Sequence, residues 1–331
     1  MAVRLVFTRK QQVVIEEFQP VRPEAGQVAV KSLYSLMSTG TENICFNRLF
    51  ADGTSWHKWV RYPFYPGYSM IGEVAEVGPD VTGFNVGDRV ALRASHRSWH
   101  VLPASHCFPV PAGIDSKDAT WFSLGKIAWL GARAADYAMG DSVLIIGAGP
   151  IGQMSLRWAA AADVDSIIMV DPSQRRLEYA RAGGATGCIA STVQQCREEV
   201  GTLLGDRSPR IVMDATGNAE VLVHALGLAA NHGRVVLMGD TGYPGEQRLT
   251  GDVVNRGVTI TGAHDTHNTA EWNNATITAH LFRQVLAGRF NISGLITHTF
   301  KPEQAAEAFH LANTRRAETL GILFDWTRSS G

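Results

Sequence analysis

The sequence predicts an α/β protein in which a β-rich region precedes a doubly wound parallel sheet that binds a dinucleotide. Three observations predict it. Residues 1 to about 122 read as short alternating strands parted by turn residues. Residues 123 to about 265 alternate apolar strand runs with helical stretches, which implies a parallel sheet. A Gly-rich turn stands between one such strand and its helix. That turn is Gly147-Ala148-Gly149-Pro150-Ile151-Gly152, a G-x-G-x-x-G pattern. Residues 143–146 before it form a short apolar run that reads as a buried parallel strand, and residues 153–162 after it read as a helix. Such a turn lets backbone approach a pyrophosphate, while the helix N-terminus supplies free N–H groups and the positive end of a dipole. A second apolar run, 166–170, ends at Asp171, 19 residues past Gly152, where an acid meets the adenosine ribose.

Size and charge narrow the class. A chain of 331 residues suggests about two domains. With 30 Lys+Arg against 31 Asp+Glu, the net charge of −1 gives no support for nucleic-acid or acidic-membrane binding. No apolar run approaches the roughly 18 residues of a membrane span. The first residues begin a strand pattern rather than a signal peptide, and Cys45, Cys107, Cys188 and Cys196 are scattered, which suggests reduced thiols in a cytoplasm.

In chain order, residues 3–7 and 11–17 resemble a hairpin, and residues 27–36 alternate as a strand. Residues 71–78, 87–92 and 99–103 are further strands, the last closing the β-rich region. After 143–146 and 166–170, later strands of the parallel sheet fall at 211–214, 233–238 and 258–261. From about 266 onward come a helix at 276–287, a strand at 296–300, a helix at 302–311 and an apolar strand at 320–326.

This order resembles the medium-chain dehydrogenase/reductase superfamily over nearly the whole chain. Pro66-Gly67-Tyr68-Ser69-Met70-Ile71-Gly72-Glu73-Val74 looks like its "PGHE-x-x-G-x-V" segment, and Gly87-Asp88-Arg89-Val90 matches its "GDRV". Leu295-Ile296-Thr297-His298 followed by Glu303-Gln304-Ala305-Ala306-Glu307-Ala308-Phe309 resembles its "ITH … EAF" pattern. The resemblance implies a GroES-like β-barrel catalytic domain over 1–122, a Rossmann NAD-binding domain over 123–265, and a segment, 266–331, returning to the first, with the active site in the cleft between domains. It also implies a homodimer or tetramer acting on a small-molecule substrate. Ser38-Thr39-Gly40-Thr41-Glu42, Gly183-Gly184-Ala185-Thr186-Gly187, Gly288-Arg289 and Asp325-Trp326 resemble a narrower branch, the bacteriochlorophyllide a dehydrogenases, which oxidise a hydroxyethyl side chain on a chlorin ring.

Zinc-dependent members hold the metal with Cys, His and a Cys or Glu. Here those positions carry Thr39, Tyr68 and a residue near Ser123, which are poor zinc ligands, and the four-Cys structural lobe is reduced to Cys107. His96, His100 and His106 cluster in sequence without ligand spacing and read as surface or hydrogen-bonded residues. The chain therefore reads as a zinc-lacking member. Without a metal, a side chain or water chain must take the alcohol proton. Tyr68 lies where a ligand points into the cleft, Lys126 is the nearby cation that would lower the phenol pKa, and Thr41 matches a proton-relay hydroxyl.

For the cofactor, Gly147, Gly149, Pro150, Ile151 and Gly152 would cradle the pyrophosphate. Asp171 would accept from the ribose and repel a 2′-phosphate, which favours NAD over NADP. Arg175 and Arg176 follow closely, and a guanidinium there, with Arg176 the candidate, can stack on adenine. Thr216, Gly239 and Ala263 fall at strand ends that face the cofactor in relatives, and Gly321 stands where relatives often carry a cation. His264, Asp265 and His267 are within reach of a substrate. Phe46, Trp56, His57, Trp59, Trp121 and Trp272 are pocket candidates for a broad or ring-shaped substrate. Two other functions stay open: an NAD(P)H-dependent enoyl or quinone reductase, against which Asp171 argues, and a non-catalytic NAD-binding protein.

Overall fold

The computed structural model describes residues 1–327. Strands β1 (Ala2–Arg9) and β2 (Gln12–Phe18) pair as an antiparallel hairpin. A larger sheet is built around the long β3 (Gln27–Met37), which pairs antiparallel with β4 (Met70–Val77) and with β6 (Trp99–Pro103). β4 pairs with β5 (Arg89–Leu92), and β5 with β7 (Cys107–Pro109). Apolar residues of these strands, among them Leu5, Val30, Met70 and Val90, close on one core.

The second sheet is wholly parallel. Strands β8 (Ser142–Ile146), β9 (Ser166–Val170), β10 (Gly187–Ile189), β11 (Ile211–Asp214), β12 (Arg234–Leu237) and β13 (Thr259–Gly262) lie in the order β10-β9-β8-β11-β12-β13. Counted from β8, that is the 3-2-1-4-5-6 order of a Rossmann sheet, with its switch point between β8 and β11. Every residue of β8 is buried, because helices cover both faces and leave two separate cores.

The chain then crosses back. β14 (Ile296–Phe300) pairs in parallel with β15 (Gly321–Asp325), and β15 pairs antiparallel with β3, inside the first sheet. The helix Asn274–Leu286 packs instead on the helix Phe122–Ala135 and shares its core. The strands expected at 99–103, 166–170, 211–214 and 296–300 are found at those bounds, and other element ends shift by one to three residues: the dinucleotide helix starts at Pro150 rather than 153, because a proline suits the first helical position. Residues 302–304 are a short 3₁₀ turn before the helix Ala305–Thr314. The helices Thr39–Asn47 and Ser55–Trp59 had no reading in the sequence, since neither shows a clear apolar period.

Among the described residues no helix is long and apolar enough to cross a membrane. The four cysteines are unbridged, and burial pushes the thiols of Cys45 and Cys107 above the usual range.

Candidate active site

The helix Thr39–Asn47 begins at Ser38, yet the Ser38 side chain makes no capping bond to it. Its Oγ instead accepts from the Tyr68 hydroxyl at 2.5 Å. A serine cap is worth about 0.5–2 kcal/mol to a helix, so this orientation forgoes local stability. Glu42 compensates from the first turn, where its Oε1 accepts the Ser38 N–H at 2.7 Å. Its other oxygen meets His96 Nε2 at 3.0 Å, and His96 Nδ1 lies 2.7 Å from Ser35 Oγ, which also accepts from Trp326 Nε1 at 2.8 Å. Glu42 and His96 are almost wholly buried. Of the two readings, surface or hydrogen-bonded, the second holds for His96, which is a core residue. So is His100, whose imidazole burial pushes down to about 3.

Tyr68 is fixed from behind. Gly67, at φ +96°, packs against His96 so closely that a Cβ would come within 2.7 Å of the ring. Ser123 Oγ donates to the Tyr68 carbonyl at 2.7 Å, and Ser69 Oγ donates to the Thr120 carbonyl at 2.5 Å. Thr41 Oγ1 stands 3.4 Å from the phenol oxygen, and Thr39 is buried in the same helical turn. Burial pushes the Tyr68 phenol up to about 12, against the opposing pull of Ser38, Thr41 and Arg93.

The expected partnership of Tyr68 with Lys126 is not formed. Lys126 Nζ donates to the backbone carbonyl of Asp265, and to its Oδ1 at 2.9 Å. The cation at Tyr68 is Arg93, whose Cζ lies 5.4 Å from the ring centroid. Arg93 also grips both carboxylate oxygens of Asp265 at 2.6 Å each. The phenol thus shifts up rather than down, because the ammonium is turned to a carboxylate and burial dominates. Burial lowers the Lys126 pKa despite Asp265. Asp265 is raised by burial, but Arg93 and Lys126 outweigh that and hold it below the usual carboxylate range.

The candidate cofactor residues lie at or just after the C-terminal ends of the parallel strands, around the switch point and out towards β13. Gly147 turns at φ +95° directly after β8, with Thr216, at the end of β11, packed beside it. A Cβ at Gly152 would fall 1.8 Å from the Gly147 carbonyl, so only glycine lets helix and turn approach. Pro150 and Ile151 open the helix itself. Asp171 Oδ2 accepts the Ala148 N–H and its Oδ1 the Ser173 N–H, both at 2.8 Å, which locks the acid against the turn. Gly239 touches Gly217 backbone, and Ala263 donates its N–H to Leu237 at 3.0 Å. The donors, the turn and the acid together fit a dinucleotide. Arg176 rests 4.0 Å from Asp171 and 3.8 Å from where a Gly149 Cβ would sit, anchored on the carbonyls of Arg316 and Thr319. Gly321 admits no side chain at all: a Cβ would lie 2.6 Å from the Leu295 carbonyl.

Several aromatic candidates leave the site. Phe46 and Trp121 are packed in the two large cores, Trp56 is buried, and Trp59 is exposed. His57 sits 3.5 Å from Asp52 on the surface, and Trp272 lies against Trp129 at 4.5 Å. His264 and His267 are exposed in the loop after β13, and their neighbour Asp265 is the residue that turns inward. Sequence reasoning missed Ser38, Arg93 and the Glu42–His96 pair as site residues. Ser38 and Glu42 carried a signal, a serine before a helix with an acid in its first turn; Arg93 lies in no motif.

The positions expected to bear zinc ligands carry Thr39 and Tyr68, with Ser123 near the third; the Tyr68 and Ser123 hydroxyls are engaged as donors to Ser38 and to a carbonyl. Among the described residues no group of three or more His, Cys, Asp or Glu has metal-holding geometry. This donor set does not fit zinc.

Comparison with known proteins agrees with the fold. A family model for the alcohol dehydrogenase GroES-like domain matches residues 40–121, and one for zinc-binding dehydrogenases matches residues 150–279. D-guloside 3-dehydrogenase of Escherichia coli (strain K12) is 27% identical over 246 residues, covering 68% of this chain and 70% of that protein. L-threonine 3-dehydrogenase of Pyrococcus horikoshii is 26% identical over 341 residues, covering 92% of each. The crystal structure of an alcohol dehydrogenase from Escherichia coli CFT073 complexed with NADH superposes with a TM-score of 0.82 at 21% identity, covering 98% of this chain and 99% of that one.

Proposed function

The chain belongs to the medium-chain dehydrogenase/reductase superfamily, and from that premise we propose a zinc-independent, NAD(H)-dependent oxidoreductase that interconverts a secondary alcohol and a ketone. The observation that carries the reading is the Tyr68 phenol, held by Ser38 at 2.5 Å where metal-dependent members place a ligand. The nicotinamide, when bound, supplies the hydride acceptor or donor. The rest of the work falls to the chain. Gly147, Gly149 and Gly152 admit the pyrophosphate, Asp171 meets the ribose, and Tyr68 exchanges the proton of the substrate hydroxyl. Ser38 fixes the phenol's direction, and Thr41 offers a second hydroxyl for relay. With its pKa raised to about 12, Tyr68 is protonated at neutral pH and ready as the acid for ketone reduction. In alcohol oxidation the same group must be deprotonated, so the oxidation rate is expected to climb with pH through the alkaline range, whereas reduction stays flat until far above neutrality. Initial rates in both directions across pH 6–10 check this; an oxidation plateau near pH 7 would exclude the phenol as base.

Zinc independence rests on donor chemistry. The protein as isolated is expected to hold no stoichiometric zinc, and chelators to leave its activity unchanged. Elemental analysis finding about one tightly bound zinc per chain would overturn this. For cofactor choice, the Asp171 carboxylate supports NAD(H), since a 2′-phosphate would meet like charge. Asp171→Ala is expected to narrow the preference, measured as the ratio of NADH to NADPH affinity by calorimetry. Among secondary alcohols, the short motifs at Ser38–Glu42 and Asp325-Trp326 support the hydroxyethyl group of a bacteriochlorophyllide-like ring as the specific candidate. An assay with that pigment and NAD⁺ tests it.

A further inference from the structure

Arg93, Lys126 and Asp265 form a charged cluster that hydride exchange with an uncharged alcohol leaves unused. Arg93 follows β5, Lys126 lies within the helix Phe122–Ala135, and Asp265 comes from the loop after β13. Arg93 binds the Asp265 carboxylate through both terminal nitrogens at 2.6 Å, and Lys126 adds a contact at 2.9 Å. The charges acting on Asp265 are Arg93 and Lys126, and those acting on Lys126 are Asp265 and Arg93, so two bases share one acid. Glu42, the acid whose charge reaches Tyr68, is occupied by His96.

Burying cations is costly, and the Lys126 side chain is only 1% exposed and that of Arg93 17%. The two bases stand on or beside regular elements. The acid stands on a loop whose neighbours His264, Thr266 and His267 are exposed. The carboxylate is therefore the member free to exchange. The guanidinium also lies over the ring of Tyr68. Two fixed bases, one of them over the ring of the reacting phenol, with a surplus positive charge and a fork that matches two oxygens, suit a planar anion.

We propose that Arg93 and Lys126 form a subsite for a carboxylate on the substrate, with Asp265 as its resident occupant until the substrate displaces it. The proposal rests on the reading of Tyr68 as the group that meets the reacting oxygen. A carboxylate is favoured over a phosphate because the group already seated there is a carboxylate held bidentate.

The test uses the full-length protein saturated with NADH and compares levulinate, 2-pentanone and inorganic phosphate by calorimetry. Levulinate and 2-pentanone share the ketone and differ in the carboxylate. Levulinate is expected to bind at least about tenfold more tightly than 2-pentanone, and Arg93→Met to bring the ratio of the two affinities to about one. Asp265→Asn is expected to tighten levulinate, because the competing charge is gone; a purely structural clasp would weaken it instead. Equal binding of the two ketones, phosphate binding tighter than levulinate, or weaker levulinate in Asp265→Asn would each overturn the subsite. Turnover separates this from the catalytic reading. Both ketones reduced equally well, without levulinate preference, leaves the reaction standing and removes the subsite. Selective levulinate binding with neither ketone reduced leaves the subsite and sinks the reaction.

Discussion

In the Tyr68→Phe variant, turnover is expected to fall by about 10²–10⁴-fold while NADH binds as before. The substitution removes one oxygen and keeps the ring, so the packing of Tyr68 beneath Arg93 survives. Two features make the loss large. The hydroxyl is oriented by Ser38 and flanked by Thr41, and neither serine nor threonine has the acidity to replace it. The dinucleotide turn is built from β8 and its helix, in the other sheet, so cofactor affinity has no path to the missing oxygen. Steady-state kinetics on a reducible ketone, paired with NADH titration, checks both halves. Near-normal turnover would remove the phenol as proton carrier and move attention to Thr41.

His96→Leu is expected to cost about 3–5 kcal/mol of stability, a large share of the roughly 5–15 kcal/mol that a folded domain has in hand. The imidazole shares a buried contact of 3.0 Å with Glu42, bonds Ser35, and packs edge-on against Phe324 at 5.0 Å. Leucine fills the volume and leaves the Glu42 carboxylate buried with the Ser38 N–H as its remaining donor. Adding Glu42→Gln should recover part of the loss, because the stranded charge is then gone. Urea unfolding of the single and double variants measures it. A shift in His96→Leu below about 1 kcal/mol would show that the pair carries little energy.

What was legible in the sequence was local. Gly147, Gly149, Gly152 and Asp171 lie within one strand-turn-helix-strand unit, and steric demands on each position leave a mark that spacing reveals. The wholly buried strands of that sheet were legible for the same reason. Tyr68 stood out only because a family position assigned it to the cleft. Its real partners were not legible, since His96 lies 54 residues from Glu42 and Asp265 lies 172 from Arg93. A lone arginine after a strand looks like any surface cation until the loop that meets it is placed. The same holds for the direction of the phenol's pKa: a family position put a lysine near Tyr68, but burial and the reach of Asp265 decide where its charge goes. The aromatic residues misled for a related reason, because Phe46 and Trp121 satisfy ordinary core packing.

The seating of β15 between β14 and β3 has a consequence for synthesis on the ribosome. Leu36 pairs with Leu323, a separation of 287 residues. At about 5–20 residues per second, β3 waits roughly 15–60 s for that neighbour. The intervening parallel sheet needs only residues 142–262 and is complete well before then. The nascent chain therefore carries one finished domain and one with an open strand edge, the kind of edge that pairs with the wrong chain. Slowing or stalling translation late in the message would lengthen exposure of that edge, while the dinucleotide-binding half would be untouched.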